Sequence, residues 1–226
     1  MAPLRVVCVK WGNRYGPEWV YRLQAMVAQN LAISHDFLCV TDDPIPGIDC
    51  IDCAPDLPGW WAKIGLFRPG LLGGLNLYFD LDVIIRENID GLLETAKPGR
   101  LSARDDFSYS LVSPKAGIGD ETRRLLGGVG TINSSVMLWH DDDARKVWDD
   151  FRPEKMEEVH GDQNWITQAL WPEHLNLIPN AWICSYKYHV LRGEPVAPVV
   201  VFHGEPKVTQ LSSDDPLRRI WESSWQ

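Results

Sequence analysis

The 226-residue chain has no apolar run approaching the roughly 18 residues of a membrane-spanning helix, so none is expected. It has no cluster of positive charge. Lysines and arginines never run longer than two, and the formal net charge is -9, which argues against nucleic acid as a partner. The first ten residues lack the long apolar centre and cleavage site of a secretory signal, and they read as a strand; a cytoplasmic protein is the expectation. No internal repeat and no long linker interrupts the chain, which predicts one domain over residues 1–226. Cysteine is sparse and odd in number. Cys50 and Cys53 spell a CxxC, but no second Cys or His pair stands at zinc spacing, so free structural thiols are expected. The tail Trp221 to Gln226 has no basic amphipathic pattern, which leaves at most a peripheral membrane association.

Tryptophan, in contrast, is abundant, with eleven copies. Trp19, Trp139, Trp148 and Trp165 fall on apolar faces and are expected in the core. Trp11, Trp60 and Trp61 flank Gly or Pro turns, where an indole face is available to stack on a sugar. The first half alternates strand and helix patterns. Strands are predicted at Arg5–Val9, Phe37–Thr41, Ile48–Cys53 and Leu75–Ile85, and helices at Glu18–Leu31 and Trp60–Phe67, with Pro17 suited to a helix start. Such alternation predicts βαβ units, a mostly parallel sheet, and ligand binding beyond the carboxyl ends of its strands. The second half is less regular. It reads as strands at Arg100–Arg104, Thr131–Trp139 and Val199–Phe202, a loop at Phe107–Gly119 and short helices at Asp120–Leu126 and Asp162–Trp171. Asp141, Asp142 and Asp143 are expected to cap a helix running to Phe151.

The chemistry-bearing stretch is Leu77-Tyr78-Phe79-Asp80-Leu81-Asp82-Val83-Ile84-Ile85. On one continuous strand Asp80 and Asp82 share a face. Two like charges held so close in apolar surroundings need an offset, and a divalent cation is the simplest one. A cation there would bind a diphosphate and act as a Lewis acid on the leaving group of a nucleotide-sugar. Carboxylate oxygens suit Mn2+ or Mg2+, and His203 would add a nitrogen ligand.

Four motifs then follow one another: Phe79-Asp80-Leu81-Asp82, Asn133-Ser134-Ser135-Val136-Met137, Gly161-Asp162-Gln163 and His203-Gly204-Glu205-Pro206-Lys207. In order and spacing this resembles the glycosyltransferases of GT-A fold, and most of all the family 8 type. The resemblance extends from Leu4 to Lys207. It implies an α/β fold with a mixed, mostly parallel central sheet flanked by helices. A nucleotide-binding half would cover residues 1–90, a donor-sugar and acceptor half 91–210, and a tail 211–226. The implied activity is metal-dependent transfer of a sugar from a nucleotide-diphosphate donor, UDP-linked by preference, to a glycan or lipid-linked glycan, with retention of configuration. Carried over residue by residue, Asp80, Asp82 and His203 would hold the metal, and Asp80 would also contact the ribose. Trp11, Asn13, Arg14 and Tyr15 would hold the base. Asn133 and Asp162 would bind the donor sugar, with Lys63 as a further donor-side residue. Gln163 would lie by the anomeric carbon, and Lys207 would grip the diphosphate. The chain departs from the family pattern in Ser134-Ser135 after Asn133, Asn164 after Gln163, His203 directly before Gly204, and Val208-Thr209 after Lys207.

Three rival readings use the same residues. A haloacid dehalogenase-like phosphatase also carries DxD after an apolar strand, but normally near the N-terminus and followed by a small residue and Thr; Val83 and Ile84 follow here. A nucleotidyltransferase would show a Gly-rich basic loop after the first strand, which Trp11 to Pro17 does not match. A degenerate nucleotide- or carbohydrate-binding module would bind donor without transferring sugar.

Overall fold

A computed structural model describes residues 3–53, 56–111 and 130–225. The predicted helix Asp120–Leu126 and most of the predicted loop Phe107–Gly119 lie outside the described residues. Strands β1 (Leu4–Lys10), β2 (Asp36–Thr41), β3 (Asp49–Asp52), β4 (Leu75–Phe79), β6 (Leu101–Asp105), β7 (Ile132–His140) and β8 (Leu175–Leu177) form one sheet in the order β3-β2-β1-β4-β7-β6-β8. β7 runs antiparallel to both its neighbours; the remaining pairs are parallel. A second sheet joins β5 (Val83–Ile85), β10 (Val199–Val201) and β9 (Ile183–Ser185), with β10 in the middle.

Alternation along each strand of the large sheet divides the core in two. In β1, Val6 and Cys8 face one cluster and Val7 the other; in β4, Leu77 and Phe79 face the first and Tyr78 the second. The first cluster packs under α1 (Pro17–Asn30) and against the small sheet. Pro17 occupies the first turn of α1, and Trp19, Val20, Leu23, Met26 and Val27 form its buried stripe, as their spacing predicts. The second cluster packs under a 3-10 segment, Gly59–Phe67, and the helix Asp162–Leu170. Counting two single-turn helices, Lys146–Asp149 (α2) and Lys155–Glu158 (α3), the latter helix is α4, and Pro216–Ser223 is α5. Full burial of a side chain such as Leu77 or Phe79 contributes about 1.5–3 kcal/mol.

Two expectations change. The run Leu75–Ile85 is not one strand. β4 ends at Phe79, Asp80 to Asp82 form a turn, and β5 starts at Val83 in the other sheet. Alternation therefore does not place the two aspartates on one strand face. The physical reason is that carboxylates do not fit the middle of a sheet covered on both sides, so the chain changes sheets where they occur. Likewise, Asp141, Asp142 and Asp143 do not cap a long helix, since α2 covers only Lys146–Asp149. Each accepts a loop N–H instead, from Gly74, Gly70 and Gly99 respectively. Asp141 adopts a left-handed φ of 41° to do so.

Candidate active site

The site lies beyond the carboxyl ends of β1, β2 and β4, as expected for an open α/β sheet. A cavity of about 460 Å3 there is lined by all the sequence-predicted residues: Trp11, Asn13, Arg14, Tyr15, Lys63, Asp80, Asp82, Asn133, Asp162, Gln163, His203 and Lys207. Tyr78, Ser134 and Trp60 also line it.

At one end, the turn after β1 is pinned by the Gly12 N–H, which donates to the Asp42 carboxylate at 3.0–3.1 Å, just past the end of β2. Gly12 has a left-handed φ of 62°, which favours glycine at this position. Lys10 Nζ donates to the Gly12 carbonyl at 3.1 Å. The turn presents Trp11, which is 38% exposed, together with Arg14, whose guanidinium lies 5.6 Å from the Tyr15 ring centroid.

The floor is a buried ionic network. Lys63 Nζ sits 3.0 Å from Asp80 Oδ1 and 2.8 Å from Asp162 Oδ2, and donates to Ser134 Oγ at 3.1 Å. Ser134 in turn donates to Asp162 at 2.8 Å. The Tyr78 hydroxyl donates to Asp80 Oδ1 at 2.6 Å, and the Asp80 N–H donates to the Ser135 carbonyl at 2.8 Å. Burial alone would lower the pKa of Lys63, but the charges of Asp162 and Asp80 override it and hold the ammonium firmly protonated. Burial pushes Asp80 up, yet Lys63 and the Tyr78 and Ser135 contacts outweigh it, and its carboxyl lies below the usual range. Asp162 opens α4, where a carboxylate also complements the helix dipole.

Asp82 belongs to a second, outer pair. Its Oδ2 accepts from the Tyr15 hydroxyl at 2.9 Å and is in salt-bridge contact with Lys207 Nζ, which also donates to the Phe202 carbonyl at 2.8 Å. Here burial and the neighbouring Asp80 charge prevail over Lys207 and Tyr15, and the Asp82 pKa is raised. The same burial and the Asp82 charge push the Tyr15 hydroxyl far up, so it remains a donor. Three carboxylates thus meet the Lys63 and Lys207 ammonium groups, and the Arg14 guanidinium lines the same cavity.

His203 lines the cavity, but its Nε2 is 2.7 Å from Ser185 Oγ and its ring is stacked between Phe107 and Tyr188. Burial pushes its pKa down, which favours the neutral imidazole. Among the described residues no three Asp, Glu, His or Cys side chains converge as a ready metal cluster. Gln163 Nε2 reaches Asp106 Oδ2 and Thr131 Oγ1, both at 3.4 Å. Asn133 is buried, and its Oδ1 accepts from the Ser135 N–H at 3.2 Å.

Of the three tryptophans considered for a sugar site, Trp11 and Trp60 line the cavity; Trp61 is buried in the second core against Phe151, with ring centroids 5.8 Å apart. Tyr78 and Ser134 were not anticipated as site residues. Alternation supplied the signal for Tyr78, since it faces opposite to Leu77 and Phe79 and immediately precedes the acidic turn. No local pattern marks Ser134.

No family model and no curated protein sequence matches the chain. Solved structures do. The galactosyltransferase LgtC, crystallised with donor and acceptor sugar analogues, superposes with a TM-score of 0.67 at 17% identity, over 97% of this chain and 95% of that one. The glycosyltransferase GlyE of Streptococcus pneumoniae gives 0.66 at 16% identity, covering 97% of this chain and 60% of GlyE. The bifunctional glycosyltransferase WbbM gives 0.63 at 12% identity, over 98% of this chain and 51% of WbbM. The chain therefore has the GT-A fold of these glycosyltransferases, with the mixed, mostly parallel sheet and flanking helices expected from its motifs.

Proposed function

We propose that the chain is a metal-dependent glycosyltransferase that moves a sugar from a nucleotide-diphosphate donor, UDP-linked by preference, to a glycan or lipid-linked glycan, with retention of configuration. The observation that carries this reading is the convergence of all twelve predicted residues on one cavity at the carboxyl edge of a GT-A sheet. Charge supports it too. A wall that carries three carboxylates beside Lys63, Lys207 and Arg14 offers ligands for a cation and partners for a diphosphate together.

Asp80 and Asp82 would hold Mn2+ or Mg2+, the substrate phosphates completing the coordination as is usual for sites with one or two carboxylates. The neutral His203 is the third candidate ligand, provided that its Nε2 exchanges Ser185 for the metal. The cation would supply Lewis-acid stabilisation of the departing diphosphate. The protein's own residues do the rest. The turn from Trp11 to Tyr15 receives the base, and Lys207 pairs with the diphosphate. Asn133, Asp162 and Lys63 surround the donor sugar in the buried floor, where fixed dipoles act strongly on the charge that develops at the anomeric carbon. Gln163, whose amide nitrogen is turned to Asp106 and Thr131, offers its carbonyl oxygen to that charge.

Calorimetric titration with UDP, with and without Mn2+, and again with GDP, tests the reading. Mn2+-dependent binding that prefers UDP is expected. Absence of binding by either nucleotide in the presence of metal would overturn it. Rapid turnover of p-nitrophenyl phosphate with Mg2+ would shift the assignment to a phosphatase.

A further inference from the structure

Large apolar side chains left in water call for an explanation when they gather at one place. Among the described residues the exposed ones are Trp11, Ile33, Trp60, Trp171, Leu191 and Trp225. Two of these six line the cavity. Trp11 stands at the nucleotide end, in the turn tied to Asp42. Trp60 stands elsewhere, three residues before Lys63 and against Gly161, which immediately precedes α4.

The backbone holds Trp60 in place. Gly59 has a left-handed φ of 61° with open space around it, so the glycine serves the turn and not a close contact. Beyond that turn the two indoles part: Trp61 enters the core at 7% exposure, and Trp60 remains 55% exposed at the cavity. A Cβ on Gly161 would lie 3.6 Å from Trp60 Nε1 and 3.9 Å from Cδ1 and Cε2. Glycine at 161 therefore leaves free the space that a side chain there would place in van der Waals contact with the five-membered ring of the indole. Of the same cavity's lining, Lys63, Asn133, Ser134 and Asp162 are each at most 8% exposed, so they form its buried part and Trp60 its exposed part.

We infer that Trp60 is the platform on which an acceptor pyranose ring stacks, so that the acceptor presents a sugar ring and not a flexible alcohol or a protein hydroxyl. This rests on the glycosyl-transfer reading above. The C–H-rich face of a pyranose complements the electron-rich face of an indole. A rigid aromatic with two rotatable bonds loses little freedom on binding.

The test uses the full chain with UDP and Mn2+, and saturation-transfer NMR of methyl β-D-galactopyranoside, methyl β-D-glucopyranoside and, as an open-chain control, sorbitol. At least one pyranoside is expected to receive saturation on one ring face, and sorbitol little. Trp60→Ala is expected to weaken the pyranoside by about tenfold, with Trp60→Phe between it and the wild type. A UDP titration of each variant reports whether the donor half is intact. With UDP binding present, no pyranoside signal in the wild type, sorbitol equal to the pyranosides, or Trp60→Ala equal to the wild type would each overturn the platform and leave the transfer reading standing. No UDP binding by the wild type would overturn both.

Discussion

The cavity contains two lysine–aspartate pairs of similar chemistry and different character. Lys63, in the floor, is clamped between Asp80 and Asp162 and further bonded to Ser134, with only 8% of its side chain exposed. Lys207, on the loop after β10, meets one carboxylate, Asp82, and a backbone carbonyl. The pKa directions diverge accordingly: Asp80 is pulled down and Asp82 pushed up. In the floor one ammonium is shared by two carboxylates, whereas in the outer pair one ammonium meets one carboxylate whose pKa is raised by burial and by the neighbouring Asp80. An architecture of this kind fixes one carboxylate and keeps the other responsive to an arriving cation and diphosphate.

Breaking the floor should have the largest effect. Lys63→Met strands the buried Asp162 and the partly exposed Asp80 and is expected to cost about 3 kcal/mol of stability, measured as a fall in the midpoint of urea unfolding. A loss below about 1 kcal/mol would show that Asp80 and Asp162 reach solvent or another partner, and the contrast between the pairs would collapse. Lys207→Met should disturb the fold less, since it unpairs one carboxylate, Asp82, where Lys63→Met unpairs two; a cost of about 1–2 kcal/mol is expected. Its main consequence should be a fall of about tenfold or more in affinity for UDP with Mn2+, read by calorimetry. Equal UDP affinity in variant and wild type would remove Lys207 from the diphosphate site.

The smallest effect sharpens the comparison most, because it predicts opposite signs. A depressed Asp80 pKa contributes stability above the unfolded value of about 4, lost as pH falls through the folded value. A raised Asp82 pKa does the reverse: stability falls as pH rises from about 4 through the raised value. Asp80→Asn should therefore destabilise at pH 7. Asp82→Asn should be at least as stable as the wild type there, with the difference closing below about pH 4. Thermal melts of both variants from pH 3 to pH 8, about the working range of the linkage, check this. Parallel shifts in the two variants would refute the assigned charge balance. Asp82→Asn should nonetheless lose Mn2+-dependent UDP binding, which separates its binding role from its fold role.

Much of this site could be read in the chain. Asp80, Asp82, Asp162, Gln163 and Lys207 occur in short motifs whose order and spacing resemble GT-A enzymes, and the cavity gathers them all. Less of the local geometry was legible. The apolar run Leu75–Ile85 has the pattern of one strand, but pairing is non-local: β4 joins β7 and β5 joins β10. Nothing within eleven residues can express that. The three aspartates Asp141 to Asp143 have the composition of a helix start, yet glycine N–H groups from three distant loop positions compete for them and win.

The C-terminal segment shows the same division. Two tail tryptophans meet α1: Arg22 lies 4.2 Å from the Trp221 ring, and Tyr21 stacks at 4.8 Å on Trp225, which stays exposed. Among the described residues no helix is long and apolar enough to cross a membrane.

By itself, the sequence determined what depends on local period and composition: the βαβ alternation, the buried stripe of α1, the two-faced strands and the acidic turn after an apolar strand. Tertiary structure decided what depends on groups far apart in the chain. It chose which lysine neutralises which aspartate, set Asp80 and Asp82 on opposite sides of their ordinary pKa, and put one tryptophan of an adjacent pair into the core and the other at the rim of the cavity. Side-chain period follows from backbone geometry and can be read locally, whereas charge pairing and burial are set by neighbours brought together only when the chain has folded.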